Sequence, residues 1–292
     1  MAINVKTEEH LLLIEINRPE KMNALTREMY SCLARAYYRL DTDEELRAGL
    51  VYAAGPHFTS GLDLADWADR FARGEGFPVV SENEIDPFYM VSEARCRKPI
   101  IMAVQGYCYT WGLELMLNTD IRVAAADSRF ALLEVQRGFF PAGGATLRLP
   151  REIGWSNAMR YILTGDTISA TEACRFGLVQ QVTETGRQFD QALKIARKVA
   201  RVAPLGVQEA LASSRRAIKE GEQAAAREAA PRLVDVTALR AMHVFISCQT
   251  RPCPLRSSRR RGWSREVREE ETRAGKVRPG GVSGRDNGRD GH

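Results

Sequence analysis

Two glutamates stand inside apolar runs, Glu114 in Trp-Gly-Leu-Glu-Leu-Met-Leu and Glu134 in Phe-Ala-Leu-Leu-Glu-Val-Gln. A carboxylate taken out of water without a partner is costly, and its pKa rises until the neutral form competes. A carboxyl held near neutral pH is what proton transfer uses, so two such acids in one stretch point to a general acid/base pair. Two plainer readings stay open beside it. Either glutamate can face solvent from a half-buried element, or can meet an arginine such as Arg122 or Arg148.

The elements that would position these acids follow from hydrophobic pattern and punctuation. His10 to Asn17 is rich in β-formers and stops at Arg18-Pro19, predicting a strand and turn. Thr26 is a candidate cap for a helix through about Leu40, with Met29, Leu33, Ala36, Tyr37 and Leu40 at helical spacing. Gly49–Ala53, Pro99–Gln105 and Asp120–Ala125 predict buried strands. Asp63 is a candidate cap for the helix after Phe58-Thr-Ser-Gly-Leu-Asp-Leu64. Residues 74–83, broken by Gly74, Gly76 and Pro78, predict a loop or lid. Helices are expected over about Pro87–Cys96, from near Trp111, and over Ser156–Leu163, Ala170–Phe176, Gln188–Val202 and Pro204–Glu220. Alternating strand, turn and helix predicts a parallel α/β core with a helical second half. The glycine-rich run Gly138–Arg148 matches neither phosphate-binding pattern and reads as a tight, closely packed turn. Asp120 and Arg122 read as structural.

Composition bounds the class. The chain has 292 residues, 44% hydrophobic and 27% charged, enough for a full core. Apolar runs fall well short of the roughly 20 residues of a membrane helix, and the start lacks a secretory apolar region, which predicts a cytoplasmic protein. Six scattered cysteines without a CxxC pair read as reduced thiols. Cys248 and Cys253 near His243 have poor spacing for zinc, so no metal is expected. The formal charge of +5 is local: of 42 basic and 37 acidic residues, 12 and 6 lie from Arg251 onward, leaving 30 and 31 before it. The near-neutral body gives no reason to expect nucleic-acid binding. The arginine- and glycine-rich segment 251–292 predicts a disordered tail that could attract polyanions nonspecifically.

The spaced motifs together resemble the enoyl-CoA hydratase/isomerase (crotonase) superfamily. They run in order over about residues 10 to 230: Asn17-Arg-Pro-Glu-Lys-Met-Asn-Ala-Leu25, Phe58–Leu64, Lys98-Pro99, Ala103-Val-Gln-Gly-Tyr107, Gly112-Leu-Glu-Leu115 with Asp120, Glu134, Pro141–Thr146, Leu163-Thr-Gly-Asp166 and Ala173–Val179. The resemblance implies a spiral of ββα repeats in residues 1–200, a helical part in 201–250, and a homotrimer or dimer of trimers. It implies stabilisation of a thioester enolate by two main-chain amides, here those of Leu62 and Trp111. In the hydratase branch two glutamates hold the attacking water, and Glu114 and Glu134 fall on both positions. By the same resemblance Lys21, Ala24, Gly61, Asp63 and Leu64 would bind the acyl-CoA substrate, with no cofactor beyond the coenzyme A that the substrate carries.

The implied activity is hydration of a 2-enoyl-CoA to a 3-hydroxyacyl-CoA. The nearest rival is double-bond isomerisation with Glu134 as sole base. A rival of another class is a non-catalytic homologue that binds RNA through its basic tail. Three departures from the family pattern stand out. Thr110-Trp111 replaces glycines, so that the indole narrows the acyl pocket or requires another backbone angle. Glu20-Lys21 stands where a basic residue approaches the CoA phosphates. The stretch after about Val236 does not resemble the family's ending, which points to a displaced reading frame or an altered terminus.

Overall fold

Leu11–Ile16 is apolar at five of its six positions, and such a strand must be covered on both faces. It is β2 of the computed structural model, which describes residues 2–228 apart from Val79. The expectations for the later part of the helical region, the 251–292 tail and the His243/Cys248/Cys253 group lie outside the described residues. β1 (Ile3–Glu8), which the hydrophobic pattern alone does not set apart as a strand, pairs antiparallel with β2. Then come β3 (Ala48–Ala53), β4 (Ile100–Val104), β5 (Tyr107–Tyr109), β6 (Ile121–Ala125), β7 (Arg129–Ala131), β8 (Ile168–Ser169) and β9 (Gln181–Thr183). The larger sheet has the order β1-β2-β3-β4-β6-β9, parallel after the first pair. The smaller has the order β5-β7-β8.

The helices are α1 (Arg27–Thr42), α2 (Leu64–Ala72), α3 (Trp111–Met116), α4 (Ala145–Ile153), α5 (Trp155–Thr164), α6 (Ala170–Arg175), α7 (Gln188–Ala200) and α8 (Pro204–Glu220). Chain order shows the repeat. β4 in the large sheet is followed by β5 in the small one and then α3. β3 is followed by Thr59, which bridges Cys108 of β5, and then by α2. β6 and β7 repeat the step before α4. This is the α/β spiral of ββα units that the resemblance implies, and α7 and α8 begin its helical C-terminal part.

Strand alternation divides the core. Leu11 and Leu13 with Leu50, Ile101, Ala103 and Val123 pack against Ala192, Ala196 and Ala200, an alanine stripe along α7 that lets the helix approach closely. Leu12, Ile14 and Ile16 point the other way, into the main core with α1. α1 begins as expected: the Thr26 side chain accepts a hydrogen bond from the Met29 amide, and Met29, Tyr30, Leu33, Ala36, Tyr37 and Leu40 are buried.

The expected helix over Pro87–Cys96 is not formed. The Asp86 carboxylate instead accepts hydrogen bonds from the amides of Phe88, Met90 and Val91 and from the Tyr30 hydroxyl, and Tyr89 turns left-handed at φ 53°. A side chain that gathers these amides offers the backbone an alternative to the helical ladder. Asp120 and Arg122 are structural as read. Asp120 accepts from the Ile100 amide and pairs with Arg215 at 2.9 Å, while Arg122 pairs with Glu152 at 3.1 Å. No helix among the described residues is long and apolar enough to cross a membrane.

Candidate active site

Two segments bring Leu62 and Trp111 to the wall of one cavity. Asn23, buried in a left-handed conformation (φ 54°) that asparagine tolerates, donates to the Ala54 and His57 carbonyls and fixes the loop before Leu25. Leu25 then forms a single parallel bridge with Leu62: its amide donates to the Gly61 carbonyl, and its carbonyl accepts from Asp63. In this pattern the Leu62 N–H points away from Leu25 and has no main-chain acceptor among the described residues. Trp111 is the first residue of α3, a position whose N–H has no partner within the helix. α3 is only six residues long, so its dipole adds less positive potential than a full helix would.

The residue before Trp111 is strained. Thr110 sits at φ 49°, ψ −113°, a region glycine enters freely and a β-branched residue rarely does. Such a conformation costs about 1–3 kcal/mol and persists only where its surroundings enforce it. Gly61 is part of those surroundings: a Cβ there would overlap the Thr110 hydroxyl, so the absent side chain makes room for Thr110. Thr110 is thus held at a glycine-like backbone angle, and the Trp111 indole is buried beside it. Trp111 stacks on Phe88 at 4.3 Å and on Phe77 at 5.6 Å.

Both acids line the same cavity as Leu62 and Trp111, a cavity of about 630 Å³ that is within the size range of small-molecule sites. Its wall includes Leu62, Trp111, Glu114 and Glu134. Glu114 is 2% exposed and lies on α3, with Oε1 accepting from the Ala145 amide at 3.1 Å. Gly143 allows that approach, since a Cβ there would come within 2.5 Å of Glu114 Oε2. Burial, and secondarily the charge of Glu134, push the Glu114 carboxyl up to about 8. Glu134 begins a short 3₁₀ turn, and its Oε2 is buried without a hydrogen-bond partner in the protein. Burial raises its carboxyl to about 7, against the opposing pull of Arg137.

Glu114 is buried and Glu134 half-buried, and the arginines considered as their partners are bonded elsewhere. Arg122 is engaged by Glu152, and Arg148 donates to the carbonyls of Phe88 and Gly143. Among the described residues neither glutamate has an ion-pair partner. The glycine-rich run is closely packed only around Gly143 and Gly144, since Gly138 meets open space and Phe139 and Phe140 are exposed; clamped by Arg148, it presents the Ala145 amide to Glu114.

The other expected site residues divide. Leu64 lines the cavity, whereas Gly61, Asp63, Lys21 and Ala24 are not among its wall residues. Asp63 does occupy the N-cap position of α2, but its side chain pairs with Arg18 at 2.7 Å, which holds its carboxyl below the usual range. Arg18 also donates to the Ala24 carbonyl, so both residues brace the Leu25–Leu62 bridge. Lys21 is exposed on the 3₁₀ turn Pro19–Lys21. The sequence reading missed Phe71, Phe77 and Phe139, which with Phe140 add aromatic rings to the wall. Nothing in their spacing separates them from core phenylalanines.

Two buried or half-buried acids and two residues whose amides lack main-chain acceptors among the described residues line one cavity, carried by a ββα spiral. Comparison with known proteins gives the family. Residues 6–241 match the enoyl-CoA hydratase/isomerase family. A solved structure of a probable enoyl-CoA hydratase/isomerase from Mycobacterium abscessus superposes with a TM-score of 0.81 at 40% identity, covering 85% of this chain and 94% of that one. Enoyl-CoA hydratase EchA19 of Mycobacterium tuberculosis is 34% identical over 211 residues, 72% of this chain and 79% of the relative. The human mitochondrial Delta(3,5)-Delta(2,4)-dienoyl-CoA isomerase is 30% identical over 212 residues, 69% of this chain and 64% of its own length. The chain belongs to the enoyl-CoA hydratase/isomerase family.

Proposed function

We propose that the protein hydrates a 2-enoyl-CoA to a 3-hydroxyacyl-CoA. The thioester oxygen accepts hydrogen bonds from the Leu62 and Trp111 amides, and Glu114 and Glu134 hold a water over the double bond. One carboxylate takes a proton from the water as the water oxygen bonds to Cβ and the π electrons move toward the thioester oxygen. The resulting enolate then takes a proton at Cα, so one H–OH is added across the bond. Each preorganised donor to the developing oxyanion contributes roughly 3–4 kcal/mol. Water addition changes no oxidation state, so the proposal invokes no metal or redox cofactor, and coenzyme A enters as part of the substrate.

One observation carries this reading: two carboxyls, both held near neutral pH by burial, share a cavity with two unpartnered amides. An isomerase needs only one base, and retaining a second buried acid without that use would be costly. Leu64 would contact the acyl-CoA directly, and Gly61 and Asp63 would shape its channel from behind. Lys21 and Ala24 would lie toward the CoA moiety. The exposed Leu147, Trp155 and Leu163 on α4 and α5 fit contacts between subunits of a homotrimer or dimer of trimers, which light scattering measures.

The test is crotonyl-CoA followed by mass spectrometry. Hydration adds the mass of one water, and Glu114→Gln slows the gain by orders of magnitude. Turnover of a 3-enoyl-CoA without mass change, largely preserved in Glu114→Gln, would identify an isomerase instead.

A further inference from the structure

We propose that Thr110 is a third oxyanion donor, its hydroxyl joining the Leu62 and Trp111 amides at the thioester oxygen, a role that rests on the hydratase reaction proposed for this site. Position 110 has a backbone conformation that glycine adopts freely, yet the chain places there a β-branched residue that must be held against strain. A side chain retained under strain calls for a use that its absence would forfeit.

The surroundings say what that use is. Thr110 is 9% exposed and lines the cavity, and its hydroxyl has no hydrogen-bond partner among the described residues. The hydroxyl lies against Gly61, where no Cβ could stand. Gly61 immediately precedes Leu62, and Thr110 immediately precedes Trp111. The hydroxyl therefore sits at the junction of the two segments that supply the amides. The Thr110 amide donates to the Ala131 carbonyl at 2.7 Å, fixing the residue to β7. A held hydroxyl with an unused proton, next in the chain to one of the two amides proposed to meet the developing negative charge, would complete a three-donor site.

The experiment uses acetoacetyl-CoA, a 3-oxoacyl thioester whose enolate absorbs in the near ultraviolet and is stabilised by the same donors. The full-length protein is compared with Thr110→Ser, Thr110→Val and Thr110→Gly. Valine keeps the shape without the hydroxyl, and glycine relieves the strain and so is safe for folding. The pH midpoint of the bound enolate band should rise by about 1 unit in the valine and glycine variants, a tenfold weaker hold on the anion. Crotonyl-CoA kcat should fall about 10- to 100-fold in both with KM little changed, and serine should behave as wild type.

Valine and glycine variants matching wild type in both assays would overturn the proposal. So would a serine variant as impaired as valine, which would mean that shape rather than the hydroxyl matters. If wild type itself shows neither an enolate band nor hydration, the hydratase reading falls and takes this proposal with it. If wild type hydrates and Glu114→Gln does not, equality of the Thr110 variants removes only the third donor.

Discussion

The two glutamates are the same residue type in the same cavity, supported in different ways. Glu114 is fixed from both sides: α3 carries it, the Ala145 amide holds Oε1, and Gly143 leaves just enough space for Oε2. Glu134 sits on a short turn leading into the exposed Phe139 and Phe140, with one oxygen buried and unpartnered. Burial raises both carboxyls, and a charge on either acid opposes ionisation of the other. One acid can thus serve as a fixed template while the other keeps an unused acceptor for water or substrate.

The largest expected effect comes from removing either carboxyl. Glu114→Gln and Glu134→Gln should each lower crotonyl-CoA kcat by about 10²–10⁴-fold, measured as loss of the water-addition product. Next is Gly143→Ala, which forces the Glu114 carboxyl aside and should cost about 100-fold in kcat without altering its charge. Its counterpart near Glu134, Gly138→Ala, meets open space and should leave kcat nearly unchanged, though its φ of 79° costs about 1 kcal/mol of stability. If both variants behaved alike, the distinction between a supported and an unsupported acid would fail.

The pH dependence probes the same contrast. With the carboxyls near 7 and 8, hydration should rise as the pair loses its first proton and fall as it loses the second, giving a bell between those values. In Glu134→Gln the missing negative charge should lower the pKa of Glu114, detected by carbon NMR of the labelled carboxyl. The smallest effect is on stability. Glu114 has a folded pKa above its ordinary 4.5, so the stability it permits is complete below 4.5 and is lost as pH rises toward 8. Glu114→Gln should therefore match wild type near pH 4.5 and exceed it by about 1 kcal/mol or more at pH 9, measured by thermal unfolding.

The sequence made some of this legible and hid the rest for physical reasons. β2, β3, β4 and β6 are mostly apolar because both sheet faces are covered. β5, β7, β8 and β9 are two or three residues long, too short to show a period, and are set by their neighbours. The false helix at Pro87–Cys96 came from not foreseeing that one carboxylate, Asp86, would take up three amides. At the site, Glu114 and Glu134 stood out as acids in apolar surroundings. Gly143 did not, because the group it makes room for lies far away along the chain. The strain at Thr110 was equally hidden, since a φ value is a property of the fold.

The decisive experiment is a double-variant cycle on single-turnover hydration of crotonyl-CoA, using wild type, Glu114→Gln, Glu134→Gln and the two changes combined. If the acids act as one unit on one water, the double variant should be about as slow as the worse single variant. A double variant whose loss is the product of the two single losses, or singles that retain nearly full hydration, would refute the shared-water pair.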